Sequence, residues 1–151
     1  MGKEQFLAVM PYISADLIGM IAKKKQVTED EAIAMLYASK LYAALEPRSG
    51  STARRCFIRF LNRKNKREVF AIPMCKEAAG MSQETAFAVF CIENYKVHKS
   101  LTGKQTEALF RRYGVFDYLR EFYDVLHTTG YQYINNDIDI YLKSRNAVIP
   151  V

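Results

Sequence analysis

His127 and the acids near it are the residues of this 151-residue chain that could transfer protons. His127 follows Tyr123 and Asp124, and a histidine beside a carboxylate can act as a general base. However, an acid and a histidine three residues apart are common on helices, and the pattern supplies no nucleophile. We therefore interpret His98 and His127 as structural or exposed residues. The sequence predicts no catalytic residue, no cofactor and no enzymatic activity.

Carboxylates and cysteines could in principle hold a metal ion. Asp137 and Asp139 lie two apart, and residues two apart on a helix do not face each other, so a solvated acidic face is the favoured interpretation. Cys56, Cys75 and Cys91 lack the paired spacing of a zinc site and form no disulfide framework. We expect no metal site, and the odd number of cysteines favours a reducing cytoplasm.

The net charge of +6 is concentrated in one internal segment. Residues 47–80 carry nine basic and two acidic side chains, whereas residues 1–46 carry five and six, and residues 81–151 carry eight and eight. Such a basic cluster could contact phosphates, so the alternative function is a nucleic-acid-binding regulator acting through residues 48–67. The candidate phosphate-binding residues are Arg54, Arg55, Arg59, Arg63, Lys64, Lys66 and Arg67.

A helix-turn-helix around Gly114 would be a second route to DNA. The second helix of that motif, residues 115–126, carries three acids and one arginine. DNA phosphates would repel a helix of that charge. We therefore discount this interpretation.

Helical signals fill both flanks of the basic segment. Thr28 with Glu31 three residues later forms a predicted capping box, and the helix it opens is expected to bury Ile33, Leu36, Tyr37 and Leu41. An earlier helix is predicted over residues 13–25, with Pro11 marking its start or a kink. No stretch approaches the 18 apolar residues of a membrane span, so we expect no membrane.

The second flank predicts four helices of 10–17 residues. The first begins near Ser82, and Thr102 with Gln105 forms a second capping box that opens the next helix. This helix is expected to stop at Gly114, followed by a continuous helix to residue 126 and a last one after Gly130.

The resulting fold class is all-α, with two small helical modules joined by a basic, irregular or hairpin-like connector. The modules are a truncated N-terminal helical module over residues 1–46 and a four-helix module over residues 81–151, and residues 47–80 are the connector.

The connector has an unusual property at the level of codons. Codons compatible with residues 55–73, read one base earlier, can spell MLYSLFEQEKQTGSFRYP, which reads as a helix and a glycine turn. We hypothesise that a reading-frame change near residues 46–48 replaced the natural end of the first module. The same change would have fused it to a second protein beginning at Met81. Source DNA whose codons cannot give the shifted text would end this idea.

Short motifs carry a resemblance over residues 81–145. They are AFAVFCIENY at 86–95, LTGK at 101–104, YGVFDYL at 113–119, YDVLHTTG at 123–130 and NDIDIYL at 136–142. This part resembles a family of small, all-helical bacterial proteins of unknown function. Residues 13–46 resemble a second short family that tends to lie beside it.

Genes of this family are often neighbours of genes for ADP-ribosyltransferase-like, toxin-like proteins. The resemblance therefore implies an antitoxin-like, partner-binding role and no catalytic residues. The partner would be a protein from the same operon or another copy of the chain.

Tyrosine is enriched at protein interfaces, and residues 81–151 contain seven tyrosines. Most aromatic side chains there are expected in the core. Tyr95, Tyr131 and Tyr133 are the predicted partner-binding residues. The leading expectation is a cytoplasmic, non-enzymatic protein-interaction module.

Overall fold

The computed structural model describes residues 3–46 and 81–149. Within these ranges all regular secondary structure is helical, which confirms the predicted all-α class. The predicted basic connector, residues 47–80, lies outside the described residues, as do all seven candidate phosphate-binding residues. The helices are α1 (Lys3–Lys25), α2 (Glu29–Ala38), α3 (Lys40–Leu45), α4 (Gln83–Lys99), α5 (Gly103–Tyr113), α6 (Val115–Glu121), α7 (Tyr123–Leu126) and α8 (Tyr131–Ser144).

Helix α1 is longer and more apolar than the sequence pattern predicts. It runs through Pro11 instead of beginning there. Its Phe6–Lys25 stretch is long and apolar enough to cross a membrane by length and composition, which corrects the expectation that no such stretch exists. The core helix of a soluble protein and a signal sequence meet the same criterion. Here α1 packs against α2 and α4.

The predicted capping box at Thr28 is confirmed. The Thr28 hydroxyl accepts from the Glu31 N–H at 3.3 Å, and the Glu31 carboxylate accepts from the Thr28 N–H at 3.0 Å. Helix α2 ends at Ala38, because Ser39 is extended and its side chain caps α3. The chain changes direction there, so Leu41 is 55% exposed and does not continue the buried stripe of α2.

The second capping box, Thr102 with Gln105, is also confirmed. Gly114 adopts φ +69° and ends α5, as predicted. The helix expected over residues 115–126 is interrupted at Phe122, whose φ of −103° and ψ of 16° separate α6 from α7. A side chain at this break leaves the buried stripe, and Phe122 is 43% exposed.

Helix α4 occupies the centre of the described structure and contacts α1, α2, α5, α6 and α8. The modular division at Met81 stays a prediction. The described residues on its two sides, which we call the first segment (residues 3–46) and the second segment (residues 81–149), contribute to one hydrophobic core. Burial of each large apolar side chain stabilises the fold by about 1.5–3 kcal/mol, so this core holds the two segments together. Its fully buried members include Phe6, Ile18 and Ile33 from the first segment and Val89, Ile92, Phe110, Leu119 and Ile138 from the second.

Candidate interaction surface and the buried carboxylate

A carboxylate lies inside the core where the two segments meet. Helix α4 directs Glu93, which is 3% exposed, toward the first three helices. Its Oε1 accepts hydrogen bonds from Ser14 Oγ at 2.7 Å, Tyr37 OH at 2.9 Å and Tyr42 OH at 2.7 Å. Each donor comes from a different helix, so α1, α2 and α3 converge on one oxygen atom.

Lys96 supplies the opposite charge one turn further along α4. Its Nζ lies 2.5 Å from Glu93 Oε2 and donates to Tyr42 OH at 2.5 Å. Both charged side chains are buried, and a buried charge is tolerated only when it is paired and hydrogen-bonded. The pair therefore depends on Tyr42, because this hydroxyl contacts both partners.

The phenols of this cluster are fixed as hydrogen-bond donors. Burial raises the pKa of Tyr37 and Tyr42 well above the ordinary tyrosine value, and the nearby charge of Glu93 raises both pKa values further. Burial likewise raises the pKa of the Cys91 thiol, so this cysteine is not a thiolate near neutral pH. Both phenols and the thiol therefore keep their protons near neutral pH.

Asp139 organises a second polar cluster between α8 and α4. It accepts from Tyr95 OH at 2.7 Å and Lys99 Nζ at 2.5 Å, and His98 Nε2 lies 3.4 Å away. Burial acts to raise the pKa of Asp139, but the hydrogen bonds from Lys99, Tyr95 and His98 and the Lys99 charge outweigh it and lower this pKa. Asp139 is therefore a tethering residue, and its interpretation as part of a solvated acidic face is wrong.

Tyr95 has no surface to offer a partner. Its side chain is fully buried, because the central helix α4 is covered on several sides, and its ring lies 5.4 Å from the ring of Phe110. Its place among the predicted partner-binding residues is corrected accordingly. Tyr131 and Tyr133 are 52% and 59% exposed, and their partner-binding role stays a prediction.

Four aromatic side chains from α6, α8 and the break between α6 and α7 lie near one another, two exposed and two half-buried, and we call them the aromatic face. The ring of Tyr118 stacks on Tyr141 at 4.3 Å and lies 4.9 Å from Phe122. Tyr133 is close enough to Tyr118 to raise its pKa, and it lies four residues before Asp137, which lies four residues before Tyr141 on α8. The aromatic face consists of Tyr118, Phe122, Tyr133 and Tyr141.

Asp137 holds one ring of the aromatic face, that of Tyr118. It lies midway between Tyr133 and Tyr141 on α8 and accepts a hydrogen bond from Tyr118 OH. Burial raises the pKa of Tyr118, and the hydrogen bond to Asp137 and the proximity of Tyr133 and Tyr141 raise it further. Tyr131 is two residues from Tyr133 and therefore lies on another side of α8. The structure thus does not bring the three predicted tyrosines together.

His127 has a structural role. Its Nδ1 lies 2.6 Å from the carbonyl oxygen of Tyr123, which can only accept, so this nitrogen carries the proton. The His127 and Tyr123 rings are stacked at 4.5 Å. Among the described residues no group of three or more histidine, cysteine, aspartate or glutamate side chains could hold a metal ion.

An open cavity of about 410 Å³ lies where α2 and α4 begin. Glu29 lines it and accepts from the Ser82 N–H at 2.8 Å, the Ser82 hydroxyl at 2.7 Å and the Thr85 hydroxyl. Burial acts to raise the pKa of Glu29, but these hydrogen bonds and the charge of Arg120 lower it overall. The polar groups of this cavity therefore fasten the two segments to each other.

One part of the chain matches a known protein family. Residues 86–145 match the family described as "Protein of unknown function (DUF3791)". This match confirms, for that part, the predicted resemblance to a family of unknown function, and it covers Glu93, Lys96 and the aromatic face. No curated protein and no solved structure matches the chain.

Proposed function

We propose that the protein is a non-enzymatic interaction module of the bacterial cytoplasm that binds another protein through the aromatic face. The observation that carries this proposal is the exposure of Phe122 and Tyr133 beside the stacked rings of Tyr118 and Tyr141. Exposed aromatic side chains that cluster in one place are typical of protein interfaces, where a few of them supply most of the binding energy.

The surroundings of the aromatic face suit a protein partner. Arg145 lies 4.8 Å from the centre of the Tyr141 ring, and the exposed Val125 follows Phe122 by three residues. An apolar centre with polar groups around it is the usual anatomy of an interface. Residues 81–151 carry equal numbers of acidic and basic side chains, so no net charge favours a polyanion there.

The hydrogen bonds of the ionisable side chains support a non-enzymatic role, because these side chains are already engaged within the protein. Glu93 is enclosed by hydroxyls from three helices, Asp139 is bonded to Tyr95 and Lys99, and His127 bonds a backbone carbonyl. Glu93 and Asp139 hold helices together, and His127 bonds the backbone of its own helix.

The partner we propose is the ADP-ribosyltransferase-like, toxin-like protein that the family resemblance implies, with this chain as its antitoxin-like companion. Co-expression with the neighbouring gene product, followed by co-purification, tests this. The double variant Phe122→Ala/Tyr133→Ala should weaken binding by about tenfold or more, because truncation of an aromatic residue at the centre of an interface typically costs about 2 kcal/mol.

Leu41→Ala is the matched control, since Leu41 is equally exposed but lies on α3. It should leave binding unchanged, and every variant should keep the helical circular dichroism of the wild-type protein, which shows that it is folded. Undiminished co-purification of the double variant would contradict the role of the aromatic face, and no co-purification of the wild-type chain would contradict the partner.

The concentration of nine basic side chains in residues 47–80 supports a second candidate, the nucleic-acid-binding regulator. Its test is binding to duplex DNA of several sequences across a salt series. Binding that prefers one sequence and disappears in Arg59→Gln/Arg63→Gln/Arg67→Gln would favour this candidate. Binding that is weak for every sequence and vanishes with salt would reflect charge alone.

A further inference from the structure

The second segment contains a buried charged pair, Glu93 and Lys96, whose hydrogen bonds are completed by the first segment; we call this pair the polar floor. Glu93 and Lys96 both belong to α4, inside the part that matches the family. The hydroxyls that bond Glu93 come from α1, α2 and α3, at sequence separations of 51 to 79 residues. Withdrawal of these helices would expose the charged pair to water, so the docked helices must replace its hydration, which the three hydroxyl donors do.

Gly103 lies next to the tyrosines that bond Glu93, and its lack of a side chain leaves room for them; we call this space the glycine notch. Gly103 is the first residue of α5, and a Cβ built on it would lie 2.4 Å from Tyr42 Cε1 and 2.7 Å from Tyr37 Cδ1. The backbone of Gly103 has no positive φ that would itself demand glycine. The missing side chain therefore serves the close approach of the two tyrosines, which lie 4.6 Å apart ring to ring.

Charges at the rim are complementary. Asp30 pairs with Arg120, and its backbone carbonyl accepts from Arg111 at 3.0 Å. Glu29 caps the start of α4, and Glu46 accepts from the Gly103 N–H at the start of α5. The first segment thus contributes the acids, and the second contributes arginines and the positive ends of two helices.

We propose that residues 81–149 form a docking site for a three-helix segment bearing two tyrosines and an acidic rim. Residues 3–46 occupy this site within the chain, and the two segments associate without the covalent link through residues 47–80. The site combines a buried charged floor, a glycine notch and a basic rim. Electrostatic complementarity of this kind fixes the register of the partner more than it adds affinity.

The test uses the full chain with a protease recognition sequence inserted between residues 60 and 61, cleaved after folding. We expect the two fragments to co-elute at the mass of the uncut protein at micromolar concentration, with unchanged helical circular dichroism. Separation of the fragments, or loss of the helical signal on cleavage, would overturn the proposal.

Gly103→Ala and Gly130→Ala are matched variants of the cut protein, since a Cβ on Gly130 meets nothing within 4 Å. The first should weaken association about tenfold or more, measured by dilution, because overpacking of a core contact typically costs that much. The second should stay within about twofold, as expected for an exposed site. Alanine has a higher helix propensity than glycine, so weaker association of the Gly103→Ala fragments would not come from a less stable α5.

If the fragments of the Gly103→Ala and Gly130→Ala proteins associated equally tightly, the proposed role of Gly103 in docking would be refuted. The aromatic face is not part of this site, so Phe122→Ala/Tyr133→Ala should leave the cut pair intact. Failure of the docking proposal and failure of the proposed function are therefore separately visible.

Discussion

Glu93→Gln tests the central interaction of the fold. The substitution keeps the size of the side chain and one oxygen that can accept from Ser14 and the tyrosines, so it opens no cavity. What it removes is the charge opposite Lys96, whose Nζ is 2.5 Å from the carboxylate. The effect on stability is therefore electrostatic.

The magnitude follows from the burial of both partners. Removing one member of a buried ion pair typically costs about 3–5 kcal/mol, because the other charge stays buried without compensation. We expect about 3 kcal/mol for Glu93→Gln, since the amide oxygen still accepts hydrogen bonds. The double variant Glu93→Gln/Lys96→Met removes both charges and should cost only about 1 kcal/mol.

Urea unfolding at pH 7, followed by circular dichroism, gives the free energy of unfolding of the four proteins in the double-mutant cycle. The coupling between the two sites should exceed about 2 kcal/mol. Glu121→Gln is the control, because Glu121 is exposed, and it should change stability by less than about 0.5 kcal/mol. A Glu93→Gln protein as stable as wild type, or a coupling near zero, would refute the reasoning.

Two further predictions concern the second segment. Asp139→Asn should lower the free energy of unfolding by about 1.5–3 kcal/mol at pH 7, since charged hydrogen bonds are lost. Because the folded pKa of Asp139 is lowered, its contribution is complete above the unfolded pKa of about 3.9 and disappears as the pH falls through the folded value. The difference between variant and wild type should therefore shrink with acidification in urea titrations, and a difference independent of pH would contradict the assignment. Gly114→Ala should cost about 1–2 kcal/mol, because Gly114 has φ +69°, and Gly114→Asn should cost less in the same assay, whereas equal stabilities of all three proteins would contradict the strain.

Features set by neighbours a few residues apart were predictable from the sequence. The capping boxes at Thr28 and Thr102 and the glycine at position 114 lie where expected, because each uses partners within four residues. The all-α class follows from the same local signals. Breaks at Ser39 and Phe122 were missed, since the apolar spacing continues across them while the backbone does not.

The buried carboxylate could not be predicted. Glu93 and Lys96 are three residues apart, and such pairs on a helix are ordinarily surface ion pairs. Their burial depends on Ser14, Tyr37 and Tyr42, which lie 51 to 79 residues before Glu93 in the chain. The misassignment of Tyr95 has the same origin, because periodicity does not reveal how many helices surround α4.

Because α1, α2 and α3 all bond Glu93 Oε1, the way in which the first segment can detach is restricted. If α3 alone swung away, Lys96 and Glu93 would lose Tyr42 while Ser14 and Tyr37 still held the other side. Such a half-open arrangement keeps the desolvation of the charges without their full set of hydrogen bonds, which disfavours it. Release of α1, α2 and α3 should consequently be all-or-none, a single cooperative opening of the molecule.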